Sequence, residues 1–165
     1  MSNALKMIRK TVTATVVAST IAWSIGASAL LAPLAAKAAP ASGSLVKASM
    51  AAVYYVGSDN KRYVFPNEKT YKTWYADFSG VQVITDAELA ALPIGGNVTY
   101  KPGTRAVKIT TDPKVYGVDA HGVLRWIKSE AIAVCLYGTN WNQQIDDVPD
   151  AFFTNYSVGA DINAC

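Results

Sequence analysis

The chain has 165 residues, with 15 Lys and Arg against 12 Asp and Glu and a single His. Four of the basic residues (Lys6, Arg9, Lys10, Lys37) precede residue 38 while every acidic residue follows it, so the remainder is close to neutral and slightly acidic. That balance, with no Lys/Arg run, removes the electrostatic footing of a nucleic-acid binder, and two cysteines are too few for a disulfide framework.

Residues 1–38 differ in composition from everything after them. A basic start is followed by an uncharged stretch from Thr11 to Leu34, rich in Ala, Val, Ile and Leu, which runs into "AAKAAPASGS". This is the layout of a signal peptide, with Ala36 and Ala38 as the small residues of a cleavage site. The alternative is a retained N-terminal membrane anchor, since the 24 uncharged residues exceed the ~7 to 15 of a signal core and are long enough for a hydrocarbon layer of ~30 Å. Seven Thr and Ser residues dilute the stretch, and Pro33 breaks it. Either reading exports the remainder and allows membrane contact only through this segment.

After a short linker at 39–44, two segments carry the same pattern: 45–96 as a first repeat, and 97–165 as a connecting strand and second repeat. At a shift of 62, Val53, Tyr54 and Val56 meet Val115, Tyr116 and Val118, and Phe65, Asn67, Glu68 and Tyr75 meet Ile127, Ser129, Glu130 and Tyr137. At a shift of 64, Val81, Ile84, Asp86, Leu89, Leu92 and Ile94 meet Ile145, Val148, Asp150, Phe153, Tyr156 and Val158. The order is kept throughout, as in a tandem duplication of about 60 residues per copy. At that size each copy is marginal alone, so the two are expected to pack together.

Each copy reads as a small α+β unit. "LVK" and "AVK" supply a first strand. "VYYV" and "RYVF" flank the turn formers "GSDN", which predicts an antiparallel hairpin, and "DAHG" takes the turn's place in the second copy. A helix follows, capped by Asn67 or Ser129, with Glu68 or Glu130 in its first turn where the helix dipole favours a carboxylate. Tyr71, Trp74, Tyr75 and Phe78, and in the second copy Ile132, Cys135 and Leu136, form the apolar stripe of that helix. A second short helix starts at a Thr85/Glu88 capping box and ends near Pro93, Gly95 and Gly96, while Pro149 is expected in the first turn of its counterpart. Cys135 is expected as a buried free thiol and not as a partner of Cys165.

The stretches "VYYVGSDNKRYVFPNEKTYKTWYADF", "ITDAELAALPIGGNVTYKPGT", "VYGVDAHGVLRWIKSEAIAVCLYG" and "DDVPDAFFTNYSVG" resemble the tandem surface repeats of exported, S-layer-like envelope proteins of ultrasmall candidate-phylum bacteria. The resemblance covers nearly all of the chain after Ser42. It implies an exported cell-surface protein that associates with other envelope proteins or further copies of itself, and it supplies no catalytic residues.

The chemistry of the residues agrees with a non-catalytic module. His121 lies in a hairpin turn and reads as a turn residue, so neither a triad nor a zinc set can form around it. Glu68 and Glu130 recur as helix starts, and Asp146 and Asp147 are adjacent and diverge on a strand. Asp59, Asp119 and the Asp146–Asp147 pair offer oxygen ligands for calcium without the spacing of a calcium loop. No cofactor or metal site is expected. Tyr54, Trp74, Tyr75, Tyr116, Trp126 and Tyr137 fall on the repeated apolar pattern and are assigned to packing. Tyr55, Tyr63 and Tyr100 lie outside it and are the candidates for binding, by stacking on a cell-wall glycan if the module anchors to the wall.

Overall fold

The computed structural model describes residues 38–165; the expected leader lies outside the described residues except for Ala38. Among the described residues no helix is long and apolar enough to cross a membrane. The described residues are mixed α+β, with ten strands in two five-stranded sheets and four α-helices.

The first sheet is built from β1 (Leu45–Lys47), β2 (Tyr54–Val56), β3 (Arg62–Val64), β4 (Val81–Val83) and β5 (Ile94–Asn97), in the order β4-β1-β2-β3-β5. The predicted meander is its antiparallel centre, with Val46 opposite Tyr54 and Tyr55 opposite Tyr63. The outer strands β4 and β5 pair parallel to β1 and β3. A parallel strand needs a crossover, and helices provide it: α1 (Glu68–Trp74) between β3 and β4, and α2 (Asp86–Ala90) between β4 and β5.

Because strand residues alternate, each helix covers a different face of the sheet. Leu45, Val53 and Phe65 pack with Tyr71 of α1, whereas Val46, Val56 and Ile84 pack with Leu89 of α2 and with Leu92. Local signals start both helices as predicted. The Asn67 side chain accepts from the Thr70 N–H at 2.9 Å, and the Thr85/Glu88 capping box is formed in both directions.

The second sheet has β6 (Ala106–Lys108), β7 (Tyr116–Asp119), β8 (Val123–Trp126), β9 (Ile145–Asp147) and β10 (Ser157–Val158), in the order β9-β6-β7-β8-β10. With α3 (Glu130–Tyr137) and α4 (Asp150–Phe153), this is the strand and helix order of the first sheet. Ala106, Ile127 and Ala133 fill the α3 side, and Val107, Val118, Leu124 and Val148 the α4 side. Even the outer-strand register agrees, Arg62 facing Ile94 as Leu124 faces Val158.

Several local expectations are corrected. Gly95 and Gly96 do not cap α2; they belong to β5, and α2 ends at Ala91, whose N–H bonds back to the Ala87 carbonyl. Glycine is required at 95 because a Cβ there would come within 2.4 Å of the Tyr63 ring, which lies over that strand. The boundary placed between 96 and 97 therefore falls inside β5. Pro149 takes the place that Thr85 holds before α2, as the residue before α4 and not inside its first turn, and its carbonyl accepts from Phe152 N–H at 2.8 Å. Helix α1 stops at Trp74, so Phe78 lies beyond it and returns to stack on Tyr71 with ring centres 4.3 Å apart.

The cysteines are the largest correction. Cys135 is exposed on α3 and is bonded to Cys165 across a separation of 30 residues. Its helix buries Ile132 and Ala133 and turns Cys135 and Leu136 outward, so the thiol predicted in the core instead faces the returning C-terminal segment. That segment is also held by Ile162, which pairs with Ile127 and takes part in the α3-side core.

Candidate functional site

Two of the three predicted binding residues meet in one place. Tyr55 and Tyr63 are cross-strand neighbours on the α1 face of the first sheet, half-buried, side by side. They form one wall of a groove of about 550 Å³, whose other wall is the end of α1 with Trp74 and Tyr75. The strap that leaves β5 lines it too, through Asn97, Val98 and Thr99, and the second half adds His121 and Asn155.

Three rings of this groove are held. The Tyr63 hydroxyl donates to Asp59 at 2.8 Å, and Asp59 also accepts from the Lys61 N–H, so the hairpin turn fixes the ring over Gly95. This bond raises the tyrosine pKa and lowers that of Asp59, each partner being the main cause of the other's shift. The Trp74 indole N–H donates to the Thr99 carbonyl at 2.8 Å, which fixes its plane while leaving the residue 39% exposed. Tyr75 packs edge-on against Phe65, with burial as the first cause and nearby Tyr55 as the second raising its pKa. Rings anchored in this way lose little freedom when a ligand stacks on them.

The strap joins the halves. Asn97 donates its amide to the Asn155 side-chain oxygen at 3.0 Å, and the Lys101 N–H donates to the Thr73 hydroxyl at 3.0 Å. The His121–Gly122 turn presses on Thr99 so closely that a Cβ at Gly122 would meet its methyl at 2.9 Å. His121 adopts a left-handed backbone, φ 57°, as Asn60 does in the first hairpin, φ 58°. Both residue types tolerate that conformation better than most, which is the turn role predicted for His121.

Tyr100, the third candidate, is not in the groove. It is 2% exposed, packs in the α4-side core of the second sheet, and its N–H donates to the Tyr156 hydroxyl at 3.1 Å. Burial first, and then the Asp146 carboxylate, push its pKa far up. A side chain so enclosed has no ring face to offer. It lies outside the matched positions because it sits in the strap, not because it is on the surface.

A second, more polar groove of about 610 Å³ lies between α1 and the Asp146 edge of the second sheet. Asp146 is 8% exposed and is held by the Arg105 guanidinium through Nε and, at 3.2 Å, through Nη2. Lys69 of α1 adds a contact at 3.6 Å. Asp147, next in the chain, points the other way and pairs with Lys108 at 2.9 Å, so the predicted divergence of the two acids is seen. The carboxylate is fully engaged as a joint between the halves. Glu68 faces Lys72 one turn along the same helix, and Glu130 opens α3.

Sequence reasoning missed Trp74, Asn97, His121 and Asn155 as groove residues. Trp74 was assigned to packing because its spacing fits the stripe of α1. The asparagines and His121 carry no periodic signal, and only the folding of one half against the other brings them to Tyr63. No protein-family model, curated protein or solved structure matches the chain.

Proposed function

We propose that this chain is an exported, non-catalytic module of the cell envelope, built from two tandem copies of one unit, that works by association with other envelope proteins or with further copies of itself. The observation that carries the reading is the Cys135–Cys165 bond. Disulfides persist in oxidising, extracytoplasmic compartments, which agrees with the signal-like segment at 1–38, and the resemblance to envelope repeats supplies the surface location. Exposed outer-strand residues, Val83 at 68% and Ile94 at 73%, add apolar area available to a neighbour. The test is recovery of the chain from the outer fraction of cells with a terminus near Ala39, followed by analytical ultracentrifugation over a wide concentration range. Recovery of the reduced, full-length chain from the cytoplasm would refute export, and a strict monomer that releases soluble wall fragments would refute association without turnover.

A second reading, a glycan-binding module that anchors to the wall, is favoured by one specific observation: Tyr55 and Tyr63 share a groove with three further aromatic residues, Phe65, Trp74 and Tyr75. Aromatic faces beside amide and hydroxyl groups are suited to sugar rings, whose C–H faces are apolar and whose edges are polar. Retention on purified cell wall, lost on Tyr63→Ala, tests it.

A further inference from the structure

The lining of the aromatic groove restricts what it can hold. Apart from tyrosine hydroxyls, His121 is its one titratable side chain, and no Lys, Arg, Asp or Glu lines it. Two charges beside its rings are opposite in sign: Lys101 lies 6.0 Å from the centre of the Trp74 ring, and Asp59 holds the Tyr63 hydroxyl. An anionic ligand such as a nucleotide or a polyuronic acid would meet no cation inside to replace its hydration. A fatty acyl chain would satisfy the rings but would strand the polar lining, because the Asn97–Asn155 bond uses only one donor and one acceptor of the two amides.

The remaining chemistry is that of a ligand with apolar faces, polar edges and no charge. The Tyr63 ring lies against Gly95 and Gly57 and lines the groove, and Trp74 is held by its edge N–H with its ring in the groove. Asn97, Thr99 and Asn155 provide amide and hydroxyl groups between these rings. The volume, about 550 Å³, lies within the ~300 to 1,000 Å³ of ordinary ligand pockets. Resting on the second reading above, we infer that this groove takes a segment of an uncharged polysaccharide, its sugar faces stacked on Tyr63 and Trp74 and its hydroxyl or acetamido groups bonded to Asn97, Thr99 and Asn155. The site requires both halves, since the rings come from the first and Asn155 and His121 from the second.

The test uses the chain from residue 38 to 165 with four soluble hexasaccharides: cellohexaose, mannohexaose and fully N-acetylated chitohexaose as uncharged probes, and hexagalacturonate as the charged one. Calorimetry gives affinity, and the indole N–H resonance of Trp74 reports occupancy of the groove. At least one uncharged probe is expected to bind and shift that resonance, and hexagalacturonate to bind about tenfold or more weakly. Trp74→Ala and Tyr63→Ala should each weaken binding about tenfold or more, and Asn155→Ala, which leaves both rings in place, should weaken it as well. Trp141→Phe, outside the groove, should not. Equal or tighter binding of hexagalacturonate overturns the ligand class while the glycan reading stands. Retention on purified wall that needs Trp74, with no uncharged probe bound, overturns the inference but leaves wall anchoring. Loss of both overturns the two together.

Discussion

Lys69 Nζ lies 3.6 Å from Asp146 Oδ1, so an exposed lysine on the first helix of one half reaches a nearly buried carboxylate on an edge strand of the other. Arg105 holds the same carboxylate from within the second half. The two cations are unequal, because the lysine side chain is 68% exposed and the arginine 32%. Exposed ion pairs contribute at most about 1 kcal/mol. Hydrogen bonds to a charged group contribute more, and leaving one partner buried and unmatched costs more still. Asp146→Ala should therefore destabilise the chain by about 2 to 3 kcal/mol, and Lys69→Ala by less than about 1 kcal/mol. Urea denaturation of the two variants gives the order, and a larger loss for Lys69→Ala would show that the contact between halves, and not the Arg105 pair, is what Asp146 sustains.

Trp126 packs against the α4-side core without being enclosed by it. It is half-buried, and Lys128 and Lys114 lie 4.0 Å and 5.1 Å from its ring centre. Leu124, two residues earlier on the same strand and face, is 0% exposed. Trp126→Ala should then cost about 1 to 2 kcal/mol, below the ~3 to 5 kcal/mol of an enclosed aromatic, while Leu124→Ala should cost about 2 to 5 kcal/mol. Thermal denaturation of both variants checks the ranking, which reverses if the tryptophan is the true centre of that core.

The Cys135–Cys165 bond closes a loop with a sequence separation of 30. A loop of that length removes chain entropy from the unfolded state equivalent to about 3 to 4 kcal/mol. Replacing both cysteines by serine should lower stability by about that amount, and hydrogen exchange should rise first at Ile162, whose N–H bonds to the Trp126 carbonyl at 2.8 Å. Unchanged protection at Ile162 would mean that strand pairing and burial hold the segment without the bond.

Alkaline pH should unfold the protein steeply. Burial is the first cause of a raised pKa at Tyr71, Tyr75, Tyr100, Tyr116, Tyr137 and Tyr156. A raised folded-state pKa means that the folded chain keeps protons the unfolded chain releases. Each such tyrosine gives its full stabilisation below the ordinary value of 10.0 and loses it as pH climbs toward the folded-state value. Stability should stay level up to about pH 9 and fall above about pH 10. Tyrosinate absorbance should appear together with loss of far-ultraviolet ellipticity, and early ionisation of these six tyrosines in a folded chain would contradict the burial described for them.

Much of each half was legible in the sequence. Asn67, Ser129 and the Thr85/Glu88 pair mark their helix starts because capping is a local matter, settled within three residues. The hairpins were legible for the same reason, since turn formers sit between strands rich in branched and aromatic residues.

Tertiary structure alone decided the rest, wherever a property depends on residues far apart in the chain. The outer strands β5 and β10 pair parallel to strands 32 and 34 residues away, at Arg62–Ile94 and Val123–Ser157, with no local turn to announce them. Gly95 looked like a helix stop until Tyr63 was found lying on it. Cys135 and Cys165 could be joined only once α3 and the returning C-terminal segment were both in place. Tyr55, Tyr63 and Tyr100 were indistinguishable as exposed aromatics in the sequence, because no periodicity separates a ring on the groove wall from one sealed in the strap. The packing of one half against the other separates them: it lines the groove beside Tyr63 with His121 and Asn155 and buries Tyr100 beneath Tyr156 and Asp146.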